Sequence, residues 1–228
     1  RPLTSAVYQG ADGGSSLACN HLAATEVEVV PASAGENYRY SDAFNQYRND
    51  GLPELSCFKS RSDMVEKVLS WPKLDVLIIA GFPYRLPIEV IEHFRWVINM
   101  HPGDLFSNRG ATPIAVDLLQ KNTFLTASVH LIDSERFDAG PFIAKATFPA
   151  HYNQNYAFNE NLVCKYGGAL LKSVLGRISA GFELGAVSWV PSDGSYIPRV
   201  SSDIFSQLVS APSVQDFHDA QALIGTVV

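Results

Sequence analysis

Short apolar runs alternate along the chain with segments whose apolar residues recur every three or four positions, and glycine-rich or polar turns separate them. A repeat of two marks a strand and a repeat of 3.6 marks a helix. Strands are predicted at Ser5 to Gln9, Thr25 to Pro31, Asp75 to Ala80, Trp96 to Met100, Thr126 to Ile132 and Phe142 to Phe148. The run after Asp75 is apolar throughout, as expected of a strand covered on both faces. Helices are predicted at Leu17 to Ala24, around Ser41 to Asn49, from an N-cap at Ser62 to Leu69, and at Leu86 to Phe94, Thr112 to Gln120 and Asn155 to Ala180. The last carries Leu162, Tyr166, Leu170, Val174 and Ile178 near a spacing of four, and Gly181 stops it. Beyond it the chain reads as irregular, broken by Pro191, Pro198 and Pro212, with a short helix around Val214 to Leu223. The alternation of strand and helix predicts an α/β fold: a Rossmann-like, mostly parallel twisted sheet with helices on both faces and a short irregular C-terminal extension. The domain would occupy residues 1–190 and the extension 191–228.

Composition narrows the function classes. At 228 residues, with 46% apolar and 18% charged side chains, the chain can bury a sizeable core. No apolar stretch is long enough to span a bilayer and nothing resembles a signal peptide, so a cytoplasmic protein without a membrane partner is expected. The 17 basic and 23 acidic residues divide evenly, 9 against 12 up to residue 100 and 8 against 11 beyond it. Neither half offers a basic footprint, and no nucleic-acid partner is expected. Cys19, Cys57 and Cys164 are odd in number and lack metal-ligand spacing, which predicts reduced thiols and no metal site.

The candidate chemistry lies in the run Trp96 to Leu105, W-V-I-N-M-H-P-G-D-L. Residues i and i+2 of a strand share a face, so Asn99 and His101 project together just before Pro102 ends the strand. Open sheets bind ligands beyond their strand carboxyl ends, and a carboxamide beside an imidazole suits a carbonyl group there. About thirty residues on, the strand through His130 opens into L-I-D-S-E-R-F-D-A-G-P, which puts Asp133 and Asp138 in a loop at a second strand end. Either acid orients the imidazole, or both simply form turns. His130 itself reads as a core residue.

The stretches N-M-H-P-G-D-L-F-S-N-R-G-A-T-P-I and T-A-S-V-H-L-I-D-S-E-R-F-D-A-G-P-F-I-A-K resemble the core of the folate-dependent formyltransferases. That family includes glycinamide ribonucleotide transformylase, methionyl-tRNA formyltransferase and the sugar amine N-formyltransferases. Its pattern of Asn-x-His-Pro, His-x-x-Asp and Asp-x-Gly-Pro appears here in order, over roughly residues 75–145. The resemblance implies Asn99, His101 and Asp138 as the catalytic trio and 10-formyltetrahydrofolate as cosubstrate. Asn99 and His101 would stabilise charge on the formyl oxygen while Asp138 supports the imidazole, with no metal required. It also places the pteridine against Phe82, Tyr84, Arg85 and Leu86 and along the backbone from Asp133 to Asp138; Asp133 matches an acid that is more structural than catalytic. Gly13, Gly14 and Ser15, between a strand and a helix, either cradle a substrate phosphate or form a plain tight turn. Arg109 is either a substrate contact or a solvated loop residue.

The function implied is transfer of a formyl group to the primary amine of a small metabolite. An amino sugar or modified amino acid of specialised metabolism is favoured by the similarity of Y-I-P-R, Tyr196 to Arg199, to a segment that closes over the acceptor in such members; glycinamide ribonucleotide stays open. Methionyl-tRNA is disfavoured by the acidic balance and the short tail. Two alternatives are a 10-formyltetrahydrofolate hydrolase and a non-catalytic folate-binding or interaction module. The apolar tail residues Ile204, Phe205, Leu208 and Val209 would pack either against a second subunit, giving a homodimer through the C-terminal region, or on their own domain.

Overall fold

The computed structural model describes residues 5–9, 27–31, 60–82, 84–189 and 196–225. The helices expected at 17–24 and 41–49, the Gly13, Gly14 and Ser15 turn, Cys19 and Cys57 lie outside the described residues. Six strands, β1 (Ser5–Gln9), β2 (Val27–Pro31), β3 (Val76–Ala80), β4 (Trp96–His101), β5 (Phe124–Leu131) and β6 (Phe142–Pro149), form one sheet in the order β2-β1-β3-β4-β5-β6. Pairs β1/β2, β1/β3 and β3/β4 are parallel, whereas β4/β5 and β5/β6 are antiparallel. The sheet is therefore mixed, and the expectation of a mostly parallel sheet is corrected at one strand: β5 alone runs backward. The reason is the β4–β5 connection. Its only helix, α3 (Pro113–Leu119), has seven residues, about 10 Å at 1.5 Å per residue, and β5 starts beyond the carboxyl end of β4, so the chain never crosses back before it descends.

Alternation along the central strands sends side chains to two cores. Leu77, Ile79 and Val97 face α1 (Arg61–Ser70) and α2 (Ile88–His93). Val76, Ile78, Ile98 and Met100 face α3, the long α4 (Tyr156–Ser179), and the tail helices α5 (Ser202–Ser210) and α6 (Val214–Gly225). Helices thus cover both faces, as expected. Gly167 lets α4 lie directly on β4, since a Cβ there would sit 2.7 Å from the Met100 Sδ.

Two local expectations shift. The cap of α1 is Ser60, not Ser62: Ser60 is extended at φ −158° and its hydroxyl accepts from the Asp63 N–H at 3.1 Å. Asn155, the first residue of the predicted helix, is the N-cap of α4 and accepts from the Phe158 N–H at 2.9 Å. The tail is not irregular throughout, because α5 forms after Ser201 and turns Phe205 and Leu208 onto the core. Leu208 has no exposed surface, so half of the apolar tail set packs on its own domain, while Ile204 and Val209 stay exposed.

Candidate active site

The carboxyl end of β4 is held open by a compact loop. His101 directs Nε2 at the carbonyl of Asn108, 2.9 Å away, and the Asn108 side chain donates to the Pro113 carbonyl at 2.8 Å. The Ser128 hydroxyl of β5 ties the loop down by donating to the Gly103 carbonyl at 2.7 Å. A carbonyl only accepts, so His101 carries hydrogen on Nε2 and presents Nδ1 to the other side.

On that other side stands Asp138. Its backbone is left-handed, φ +45°, a conformation that Asp tolerates better than most residues and that aims its side chain back at the sheet. Oδ1 lies 3.4 Å from His101 Nδ1, 3.2 Å from Asn99 Nδ2 and 3.7 Å from His130 Nε2. Burial pushes this carboxyl up, but the His101 ring, then His130 and the Gly110 amide, outweigh it and hold Asp138 below the usual carboxylate range. With a proton on Nδ1, His101 forms an ion pair with Asp138 at 3.4 Å, longer than an ordinary hydrogen bond.

His130 belongs to this constellation and not to the core. Register pairs it with Asn99 across β4 and β5, and residues directly opposite share a face. Its Nε2 lies 3.0 Å from Asn99 Nδ2 and its Nδ1 lies 2.7 Å from the Leu131 carbonyl. A register shift in the β5–β6 pairing falls between Val129 and His130, the kind of irregularity that re-aims a side chain beside a site. The sequence signal was present, because Ser128 and His130 stand two apart and share the face of Asn99 and His101; reading it required knowing that β5 pairs antiparallel with β4.

These groups line a cavity of about 330 Å³. Phe82, Tyr84, Arg85 and Leu86 all line it, Leu86 buried and Tyr84 half exposed, with Arg85 over the Phe137 ring at 5.4 Å. Two expected site residues stand outside the lining. Asp133 turns toward Gly140, where an added Cβ would sit 3.3 Å from its Oδ1, and serves the turn before β6. Arg109 is buried, donates to the Phe137 carbonyl at 3.4 Å and lies beside the rings of Trp189 and Tyr196, so it clamps the tail to the loop that carries Asp138. Sequence reasoning missed the α4 contribution to the lining, Tyr156, Glu160 and Cys164, whose spacing of four put them among ordinary helix-core positions.

The chain is similar to curated methionyl-tRNA formyltransferases. It is 30% identical to the mitochondrial enzyme of Mus musculus over 142 residues, 59% of this chain and 36% of that one, and 32% identical to that of Dehalococcoides mccartyi over 114 residues, 50% of this chain and 36% of that one. It therefore spans about a third of the length of these relatives. Its fold is that of an N-formyltransferase from Helicobacter canadensis, crystallised with folinic acid and dTDP-3-aminofucose, at TM-score 0.62 and 18% identity, covering 86% of this chain and 71% of that one. The formyl transferase family model matches residues 20–174, more than half of the chain, and the chain belongs to the formyl transferase family.

Proposed function

We propose that this chain transfers the formyl group of 10-formyltetrahydrofolate to the primary amine of a small metabolite, an amino sugar or modified amino acid. The observation that carries the reading is the convergence of Asn99, His101 and Asp138, distant in sequence, on one wall of a cavity large enough for small-molecule chemistry. The apolar walls offered by Ile79, Leu86 and Ile132, with the backbone of the Asp138 loop at their edge, fit a flat heterocycle. The cosubstrate supplies the formyl carbon and a leaving nitrogen; the amine nitrogen bonds to that carbon, the bond to the folate nitrogen breaks, and one amine proton ends on that nitrogen.

The residues would divide the work. The Asn99 amide donates to the formyl oxygen as charge develops on it, and a protonated His101 joins it only when one of its two N–H groups turns from its resting partner, the Asn108 carbonyl or Asp138; removing one such donor typically costs on the order of a hundredfold or more. In the resting geometry both hydrogens of Asn99 Nδ2 point inward, one toward His130 and one toward Asp138, so donation to substrate draws on the longer contact at 3.2 Å. Asp138 fixes the imidazole and balances its charge.

Two other readings use the same trio. Water in place of the amine gives a hydrolase, and methionyl-tRNA as acceptor is favoured by the relatives of this chain. Incubation with 10-formyltetrahydrofolate, following tetrahydrofolate release and mass gain over a panel of amino sugars, amino acids and methionyl-tRNA, separates them. Release that requires a small amine supports the proposal. Release without any amine replaces it by hydrolysis, and formylation of methionyl-tRNA alone replaces it by the tRNA reading.

A further inference from the structure

Asp117 is the single charged residue of α3 and is 7% exposed, in a helix built otherwise of Pro, Ile, Ala, Val and Leu. Its carboxylate accepts from the Asn122 side chain at 2.8 Å, and the Asn122 N–H donates to the Asp117 carbonyl at 2.9 Å, so this pair closes the turn after the helix. Closing a turn needs no second amide. Yet the Asn108 side chain, from the loop beyond β4, hydrogen-bonds the same carboxylate. Burial pushes the Asp117 carboxyl up, and the two amides and the charge of the His101 ring counter it.

Asn108 joins this acid to the catalytic ring. Its amide donates to the carbonyl of Pro113, four residues before Asp117 and so on the same helix face, while its own carbonyl lies 2.9 Å from His101 Nε2. Both neighbours of that amide are acceptors. Its hydrogens therefore face α3, and Oδ1 is left buried without a hydrogen-bond partner among the described residues. A desolvated acid and an unmatched amide oxygen are each costly, and such local costs gather where a site must be held in one geometry. The geometry held here is that of the imidazole. A neutral ring has one hydrogen and two acceptors competing for it, the Asn108 carbonyl at Nε2 and the Asp138 carboxylate 3.4 Å from Nδ1. The carbonyl keeps that hydrogen only while it is held in place.

We infer that Asp117 is a positioning residue for His101: by holding the Asn108 amide it holds the Asn108 carbonyl on Nε2, and so makes Nδ1 the nitrogen through which the ring works. In the protonated ring the Nε2–H stays on Asn108, and the Nδ1–H, on the longer contact, is the one that turns to the formyl oxygen. The inference deepens the formyl-transfer reading and rests on it for its catalytic meaning.

The test reads the ring directly. In the full chain with isotope-labelled histidine, the signals lost in His101→Ala identify His101, and its nitrogen chemical shifts above the pH range of histidine titration report which nitrogen bears the hydrogen. The parent chain shows it on Nε2. Asp117→Asn, which keeps the volume and removes the charge, and Asn108→Ala, which removes the amide, each move the ring to a mixture of both tautomers. With 10-formyltetrahydrofolate and an amine that supports release, each lowers kcat by about tenfold or more with KM for the folate within about twofold, and the double variant is no worse than the poorer single one. Asn122→Ala, which cuts only the turn, lowers the melting temperature and leaves tautomer and kcat as in the parent. The inference is overturned if Asp117→Asn keeps the parent tautomer or kcat, if its loss adds to that of Asn108→Ala, or if Asn122→Ala reproduces its effect. Asp117→Ala takes its place in the same comparisons if the Asn variant does not fold, and failure of both to fold makes the acid a structural anchor and also overturns the inference. A parent chain that releases no tetrahydrofolate is a separate result: it overturns the formyl-transfer reading, and the tautomer comparison still decides the link from Asp117 to the ring.

Discussion

Asn99 and His130, 31 residues apart in the chain, face each other across β4 and β5 with Nδ2 of the amide 3.0 Å from Nε2 of the ring. Because Nδ1 of His130 meets the Leu131 carbonyl, which can only accept, the neutral ring keeps its hydrogen there and accepts from Asn99 at Nε2. His130 thus decides which way the Asn99 amide points. His130→Ala frees the amide to rotate and should lower kcat by about tenfold or more with little change in KM for the folate, the pattern of an interaction made in the transition state. A merely structural role would lower the melting temperature and leave kcat of the folded protein unchanged. Steady-state kinetics beside thermal unfolding decide the point.

Replacing His101 or Asp138 by Ala should each reduce transfer by about a hundredfold or more while folinic acid still binds, because neither side chain belongs to the apolar wall offered to the ring system. The double variant should be little worse than either single one, since the 3.4 Å pair acts as a unit. Tetrahydrofolate release gives the rates. Additive losses, or full turnover in either single variant, would remove the pair from the chemistry.

Asp138 also predicts a pH dependence of stability with a definite sign. Its folded carboxyl titrates below the ordinary value of about 3.9, so above that value both states are ionised and its contribution is complete. As pH falls below the ordinary value the unfolded chain takes up the proton first, and stability declines until the folded carboxyl protonates too. Asp117 works in the opposite sense, because burial raises its folded carboxyl. The comparison must therefore be between the parent chain and Asp138→Asn. Urea unfolding between about pH 2.5 and 6 should show the parent losing stability more steeply toward acid in that window, and parallel curves would refute the assignment.

Much of this arrangement was legible in the chain, and the misses have physical causes. The strand ending in Asn99 and His101 follows from a period of two next to a proline, and the long α4 from a run of apolar residues near a spacing of four closed by Asn155 and Gly181. The direction of β5 was hidden because the seven residues of α3 look like any crossover helix until its length is set against the height of the sheet. Asp133 and Asp138 share a loop and a residue type, and only the left-handed backbone at Asp138 separates the one that meets the imidazole from the one that serves the turn. Arg109 was left open between two roles and Glu160 went unremarked for one reason: whether a charged side chain is exposed depends on segments far away in sequence, the tail at Tyr196 and the helix over Met100.

Leu208 tests whether the tail is part of the domain. It is fully buried in the core beneath α5, so Leu208→Ala should destabilise the whole fold by about 2–5 kcal/mol, the range for large-to-small changes in packed cores. One cooperative transition shifted to lower denaturant is expected. A melt in which the tail detaches while the remainder unfolds at the parent midpoint would show that α5 is only an appendage.

Gly103 is packed directly against the catalytic imidazole. A Cβ there would lie 2.6 Å from Pro113 Cβ, 2.9 Å from the Asn108 carbonyl and 2.9 Å from His101 Nε2, and neither the proline ring nor the main chain can yield. Gly103→Ala should therefore cost about 1–3 kcal/mol of stability by overpacking, and it should also pry the Asn108 carbonyl from the imidazole that it fixes. Gly168, in the interior of α4 with nothing within 4 Å of an added Cβ, provides the opposite case. Gly168→Ala should stabilise the chain by about 0.5–1 kcal/mol through helix propensity and leave transfer untouched. In the double variant, Gly168→Ala should recover part of the melting temperature lost to Gly103→Ala and none of the turnover, because the damage at position 103 is to the aim of His101 and not to the amount of folded protein. Recovery of turnover in step with stability would mean that the loop does not position the imidazole.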